Sequence, residues 1–384
     1  MIPFNKPYLH GRELVYIAQA VASGKISGDG IFTKRCHEFF KNKYNFKQVL
    51  LTTSCTDALE MAAILLNIKD GDEVILPSYT FVSTANAFVL RGAKLVFADS
   101  SPDNPNIDAE KIEELITSNT RAIVVVHYAG IACDMGRIQQ ISDRYGIPVI
   151  EDAAQAIDSF YNGRPLGSFG KFSAFSFHET KNIISGEGGL LVVNDEKYSV
   201  RAEIIREKGT NRSSFFRGEV DKYGWVDIGS SFLPSDIIAA YLFAQLEVMG
   251  VIQNRRKEIW DMYALQLKDL SIKTGLFKIC DIPNYATNNA HMFYLVCQTS
   301  SVRADLIKYL NNNGVHAVFH YLSLHKSPYY ATRHDGRSLP NADNFSDCLV
   351  RLPMYYELTN FEVDLICKKI KNYFNCLVKE VTYA

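Results

Sequence analysis

Phe172-Ser-Ala-Phe-Ser-Phe-His-Glu-Thr-Lys-Asn182 is apolar in its first half and polar in its second. The run Phe172–Phe177 reads as a short buried strand. Gly186-Glu-Gly-Gly189, a few residues on, reads as a loop. Lys181 therefore stands just past a strand end. Similar apolar runs occur upstream at Val74-Ile-Leu76, Leu95-Val-Phe97, Ile123–Val126 and Val149-Ile150. Helical stripes lie between them. Leu59, Ala62, Ala63 and Leu66 form one, opened by Ser54 with Asp57 three residues later, the spacing of a capping box. Met135, Ile138, Ile141 and Tyr145 form another, with Asp134 as its cap and Gly146 as its stop. Strands that are apolar throughout and alternate with helices predict an α/β fold, with a mostly parallel sheet covered on both faces.

Three regions follow from the same reading. Residues 1–30 read as an irregular N-terminal arm, residues 31–254 as the large α/β domain, and residues 255–384 as a smaller α+β domain. Late in the large domain, after Asn194, helices and a polar loop over Gly209–Asp227 are expected, followed by a long helix from Ser235 to Leu246. In the small domain, Met292–Cys297 and Val315–Phe319 are the expected strands. Arg303–Asn311 and Phe361–Phe374 are the expected helices.

Composition narrows the class. The chain has 384 residues, 47% of them hydrophobic, enough for a large core. Lys plus Arg number 41 against 42 Asp plus Glu, so the net charge of -1 gives no reason to expect nucleic acid. The eight cysteines contain no CxxC pair, which argues against a zinc site or a disulfide frame, so no metal is expected. No run of 18 apolar residues is present, and Met1-Ile-Pro-Phe-Asn-Lys6 lacks an apolar signal core. A soluble, cytoplasmic protein without a membrane segment is the expectation.

In an open α/β sheet, ligands bind beyond the carboxyl ends of the strands. Asp152 ends an apolar strand, where a carboxylate needs a partner because an unpaired buried charge is costly. A protonated pyridine nitrogen is such a partner, and a helix N-cap is the plainer alternative. Gln155 follows at helical distance. Ser54-Cys55-Thr56 opens a helix, where free N–H groups and the positive dipole end suit a phosphate, with Ser176 a further donor. Phe81 follows a strand and can stack on a planar ring or pack in the core. Lys181 completes the set, provided burial or a nearby cation deprotonates it. Together these residues describe a site for pyridoxal 5'-phosphate, an electron sink.

Asp152-Ala-Ala-Gln155, Ser176–Asn182 and Glu187-Gly-Gly189 resemble the sugar aminotransferases (DegT/DnrJ/StrS type) of the fold-type-I, aspartate aminotransferase-like superfamily. Pro77–Ala87, Arg206–Arg212, Asp227-Ile-Gly-Ser-Ser231, His320-Tyr321 and Leu324-His325 extend the likeness over nearly the whole chain. The resemblance is greatest to members that aminate C4 of a dTDP-linked deoxyhexose. It implies that Lys181 bonds the cofactor, Asp152 pairs with its pyridine nitrogen and Gln155 touches its ring hydroxyl. Phe81 would stack on the ring, and Cys55, Thr56 and Ser176 would hold the phosphate. It also implies a homodimer with sites at the interface, where Ser231 stands in place of a phosphate-binding asparagine of many relatives. His178, Arg212, His320 and Tyr321 are the candidate substrate contacts. The implied substrates are L-glutamate and dTDP-4-dehydro-6-deoxyglucose, with a product destined for surface polysaccharide. An equatorial C4 amine, a C3 amine and a non-catalytic cofactor-binding regulator remain alternatives. Sugar-dehydrating members carry histidine at the lysine position, so Lys181 speaks against that chemistry.

Overall fold

The computed structural model describes residues 1–383. Its centre is a seven-stranded sheet of β1 (Gln48–Thr52), β2 (Glu73–Pro77), β3 (Lys94–Ala98), β4 (Thr120–Val126), β5 (Val149–Asp152), β8 (Phe172–Ser176) and β9 (Gly189–Val193). Between β5 and β8 lies a separate small hairpin, β6 (Phe160–Tyr161) with β7 (Arg164–Pro165). The order across the large sheet is β1-β9-β8-β5-β4-β2-β3, and only β9 runs against its neighbours. The strands from β8 to β3 are parallel.

Strand side chains alternate between two cores, as the twofold repeat of a strand requires. Val74 and Leu76, with Ala122 and Val124, face the helices Cys55–Leu65 and Val82–Val89. Ile75, Ile123 and Val125 face the helix Met135–Tyr145. Val49 and Leu51 of β1 face the helices Ile31–Tyr44 and Asp236–Glu247. Each fully buried aliphatic side chain stabilises the fold by about 1.5–3 kcal/mol relative to exposure. This two-sided burial explains why the strands are apolar throughout.

A second sheet of β10 (Phe277–Ile279), β11 (Tyr294–Cys297) and β12 (Leu349–Arg351) is antiparallel. The helices Ser300–Asn312 and Asn360–Tyr383 pack beside it. The division expected at residues 254/255 falls inside one continuous helix, Met249–Thr274, so no linker separates the two regions there.

Three local expectations need correction. The arm is not wholly irregular, because Glu13–Ala22 is a helix laid on Asp236–Glu247. Val315–Phe319 is not a strand; Val315 and Val318 make only isolated bridges, to Ile2 and Arg351. Its two bridging partners belong to different segments, so neither extends into a ladder. The loop after Gly209 contains a short helix, Arg212–Phe216. No single helix among the described residues is long and apolar enough to cross a membrane.

Candidate active site

The carboxyl ends of β2, β4, β5 and β8 open into a cavity of about 490 Å³. Ser54, Cys55, Thr56, Phe81, Asp152, Gln155, Ser176, His178, Lys181, His320 and Tyr321 all line it.

Ser176 ends β8 directly opposite Gly189, the first residue of β9, and Thr52 ends β1 on the other side of Gly189. This edge meets the start of the helix Cys55–Leu65. A Cβ on Gly189 would lie 2.3 Å from the carbonyl carbon of Ser54, so only glycine lets strand and helix approach this closely. Ser54 caps the helix by accepting from Asp57 N at 3.0 Å. The Asp57 carboxylate turns back and accepts the Thr53 hydroxyl, so it points away from the cavity floor. The backbone N–H groups of Cys55 and Thr56 lie in the helix's first turn, where no intrahelical acceptor exists. Thr56 Oγ1 adds a hydroxyl, held by Ser83 Oγ at 2.8 Å.

Consecutive carboxylates at the end of β5 go to opposite faces. Glu151 turns into the interior and accepts from Gly167 N, Phe169 N, Gly170 N and Ser173 Oγ, with His127 Nε2 3.0 Å away. These contacts hold its pKa below the usual carboxylate value despite burial. Asp152 faces the cavity. Its Oδ2 accepts from Thr84 Oγ1 at 2.7 Å and its Oδ1 from Ala154 N at 3.1 Å. Burial pushes its pKa up, opposed by Thr84, Ala154 N–H and the charge of Lys181. Gln155 Oε1 accepts from Ala129 N at 2.6 Å, and its amide donates to Tyr321 Oη at 2.9 Å. Ala129 achieves this with a left-handed backbone, φ 57°.

Lys181 follows a tight turn in which its N–H donates to His178 O at 2.9 Å. Its neighbour Asn182 anchors the turn, donating to Gln253 Oε1 at 2.7 Å and Asn289 O at 2.8 Å, with His291 Nδ1 at 2.9 Å from its Oδ1. The Lys181 amine forms no ion pair among the described residues. Burial lowers its pKa, against the raising influence of Cys55 and Asp152. A lysine less basic than usual is what nucleophilic addition to a carbonyl requires.

Phe81 is half exposed in the cleft, 5.9 Å from the ring of Tyr321. His320 stacks on Tyr321 at 3.5 Å and shares a hydrogen bond with Tyr128 Oη at 2.6 Å. Burial, with the charges of Arg351 and Lys181, pushes the pKa of His320 well down, so its ring is neutral. His178 sits at the rim, between Thr180 Oγ1 at 2.9 Å and Glu187 at 3.6 Å. Two candidates lie elsewhere. Arg212 is paired with Glu207 at 3.1 Å, and Ser231 is exposed and bridged to the Glu207 backbone. Neither lines this chain's cavity.

The cavity also holds residues that sequence reasoning passed over. Phe4 and Asn5 come from the arm, His291, Met354 and Arg351 from the C-terminal region. Asn5 Nδ2 donates to Glu179 O at 3.2 Å, joining the arm to the lysine turn. Arg351 carried a signal, a lone cation within the apolar Leu349–Met354 run.

Residues 7–371 match the DegT/DnrJ/EryC1/StrS aminotransferase family. The chain belongs to that family. An uncharacterised Methanocaldococcus jannaschii protein, MJ1066, is 31% identical over 378 residues, covering 96% of this chain and 97% of its own. The aminotransferase TlmJ from Streptoalloteichus hindustanus superposes with a TM-score of 0.90 at 28% identity, covering 98% of this chain and 100% of that one. Spr1654 from Streptococcus pneumoniae, named a sugar aminotransferase, superposes in its PLP-form with a TM-score of 0.88 at 25% identity, covering 97% and 98%. The fold is that of the fold-type-I transferases, and the family's cofactor is pyridoxal phosphate. The residues present fit that cofactor. A buried carboxylate with two donors already in place faces a lysine of lowered basicity, and a helix start offers free N–H groups beside a glycine no other residue can replace.

Proposed function

We propose that this sugar aminotransferase moves the amine of L-glutamate to C4 of dTDP-4-dehydro-6-deoxy-D-glucose. The product would be dTDP-4-amino-4,6-dideoxy-D-galactose, a precursor of surface polysaccharide. Lys181 and Asp152 lining one cavity, the first without an anionic partner, is the observation that carries the transfer chemistry. Bound pyridoxal phosphate supplies an electron sink for the carbon that loses its proton. The chain supplies the rest. Asp152 would hold the pyridine nitrogen protonated, fixed by Thr84 and Ala154 N–H. Cys55 and Thr56 N–H with Ser176 would bind the phosphate, and Phe81 would cover the ring. The Lys181 amine would take the proton from the donor's α-carbon and later deliver one to C4 of the sugar.

The C4 position and the axial face are supported by the motifs around Lys181, Phe81 and Gly229-Ser-Ser231. Lys181 stands on one side of the cleft, so it protonates a single face of the sugar carbon. The way the hexose is held decides which face that is. Purified enzyme, glutamate and the keto-sugar nucleotide, followed by proton NMR of the product, test the reading. A small H3–H4 coupling means an axial amine, a large one the gluco epimer, and an amine on C3 a different regiochemistry.

A homodimer is part of the proposal. Phe216, Trp225 and Val226 are exposed on the segment around Arg212 and Ser231. A patch of this kind suits a second copy, with Ser231 of one copy reaching the phosphate site of the other.

A further inference from the structure

We infer that His291 positions the Lys181 amine: its Nε2 is the acceptor for a Lys181 N–H, which directs the amine's lone pair toward the reacting carbon. The inference rests on reading Lys181 as the reacting amine.

The neighbours of His291 fix which ring nitrogen carries the proton. Asn182 donates from Nδ2 to Gln253 Oε1 at 2.7 Å and to Asn289 O at 2.8 Å. Both amide hydrogens are used there, so the oxygen of Asn182 is the atom that faces His291. His291 Nδ1 lies 2.9 Å from that oxygen and must donate to it. Burial, with the charges of Lys181, Arg256 and Arg351, pushes the ring's pKa well down, so the ring is neutral. A neutral imidazole protonated on Nδ1 keeps a lone pair on Nε2. No described residue bonds to Nε2, and His291 lines the same cavity as Lys181.

The placement of this ring is tightly held. Ala290, just before it, has a left-handed backbone with φ 51°. A residue with a side chain stays in that region only where its surroundings hold it. Arg256 does so, donating from Nε to Ala290 O at 3.1 Å and from Nη2 to His291 O at 2.6 Å. Asn289 Oδ1 accepts from His291 N at 3.0 Å. Gln253 and Arg256 belong to the helix Met249–Thr274, so one helix steadies both the lysine turn and His291.

The two groups are complementary. The Lys181 amine has N–H donors and no ion pair among the described residues, and His291 Nε2 is an acceptor without a donor. Among the charges acting on His291, that of Lys181 is the strongest. Cys55 and Asp152 favour the charged amine and Arg351 opposes it. Asp152 is already engaged with Thr84 and Ala154 N–H, and a thiol is a weak acceptor. An N–H given to His291 holds the neutral amine in one orientation. The same bond becomes charge-assisted when Lys181 carries the proton taken from substrate.

Two variants divide the ring's two bonds. His291→Asn keeps a donor for Asn182 and removes the acceptor at Nε2. His291→Gln places an amide oxygen near Nε2 and gives up the bond to Asn182. The first readout is the pKa of Lys181 in the cofactor-free protein, from the pH dependence of trinitrobenzenesulfonate labelling of its peptide. His291→Asn should lower that pKa by about one unit, through loss of the bond to the ammonium, and His291→Gln should restore it. The second readout is single-turnover absorbance of the holoenzyme with glutamate, and of the aminated holoenzyme with the keto-sugar nucleotide. Both half-reactions should slow about tenfold in His291→Asn and less in His291→Gln. Should His291→Asn not fold, His291→Leu, which also lacks the acceptor, takes its place. The reverse order of the two variants would overturn the inference, leaving His291 as an anchor of the lysine turn alone. Unchanged labelling and rates in all variants would overturn it too. A loss confined to one half-reaction would assign Nε2 to that substrate instead. A borohydride label on another lysine would overturn the reading of Lys181 on which the inference rests.

Discussion

Thr84 donates its hydroxyl to Asp152 Oδ2 at 2.7 Å, across the gap between the helix Val82–Val89 and the end of β5. With Ala154 N on the other oxygen, the carboxylate is fixed in direction before any ligand arrives. Preorganisation of this kind makes a charge effective in a site closed to water.

Asp152→Asn should therefore keep the fold and lose activity. Removing a charge-assisted bond of roughly 1.5–3 kcal/mol predicts about a ten- to hundredfold slower half-reaction with glutamate, since 1.36 kcal/mol is about tenfold. Thr84→Val should cost less, because the carboxylate remains. Single-turnover absorbance measurements check both.

Borohydride should fix the cofactor of the yellow holoenzyme to the peptide containing Lys181. Peptide mapping that found the reduced label on another lysine would refute the assignment. Lys181→Ala should bind cofactor without turnover.

The Lys181 amine also predicts a pH signature in the cofactor-free protein. Its folded pKa lies below that of the unfolded chain. The unfolded state then binds more protons, so folding is penalised below the folded pKa and the penalty fades as pH rises through the unfolded one. Lys181→Met should stabilise the apoprotein at neutral pH and give no advantage above the ordinary lysine pKa of about 10.4. Denaturant melts at several pH values check the trend.

Trp225→Glu should shift the protein toward monomer and lower its activity together. Sedimentation at working concentration, paired with rate measurements, tests the link; a fully active monomer would remove the shared site.

Much of the large sheet was legible because both its faces are buried. Val74–Leu76, Leu95–Phe97, Ile123–Val126 and Val149-Ile150 are apolar regardless of face, and each is a strand. The caps at Ser54 and Asp134 were readable for a local reason, since each accepts from a backbone N–H three residues on. The small region was harder. Val315–Phe319 has a strand's composition, yet its bridging partners are Ile2 and Arg351, distant in sequence.

The sequence by itself determined the kinds of groups in the site and the strand ends that carry them: Asp152, Ser176 and Lys181 near the ends of apolar runs, Ser54-Cys55-Thr56 at a helix start. Local periodicity and capping encode those positions. The tertiary structure decided what they face. Only the fold turns Asp152 toward the cavity and Glu151 toward His127, brings Thr84 to the carboxylate and Asn182 to Gln253, and leaves Ser231 and Arg212 on the outside. It also brings Phe4 from one end of the chain to Arg351 near the other. Contacts between residues so far apart depend on how helices and sheets pack, and no local pattern records that packing.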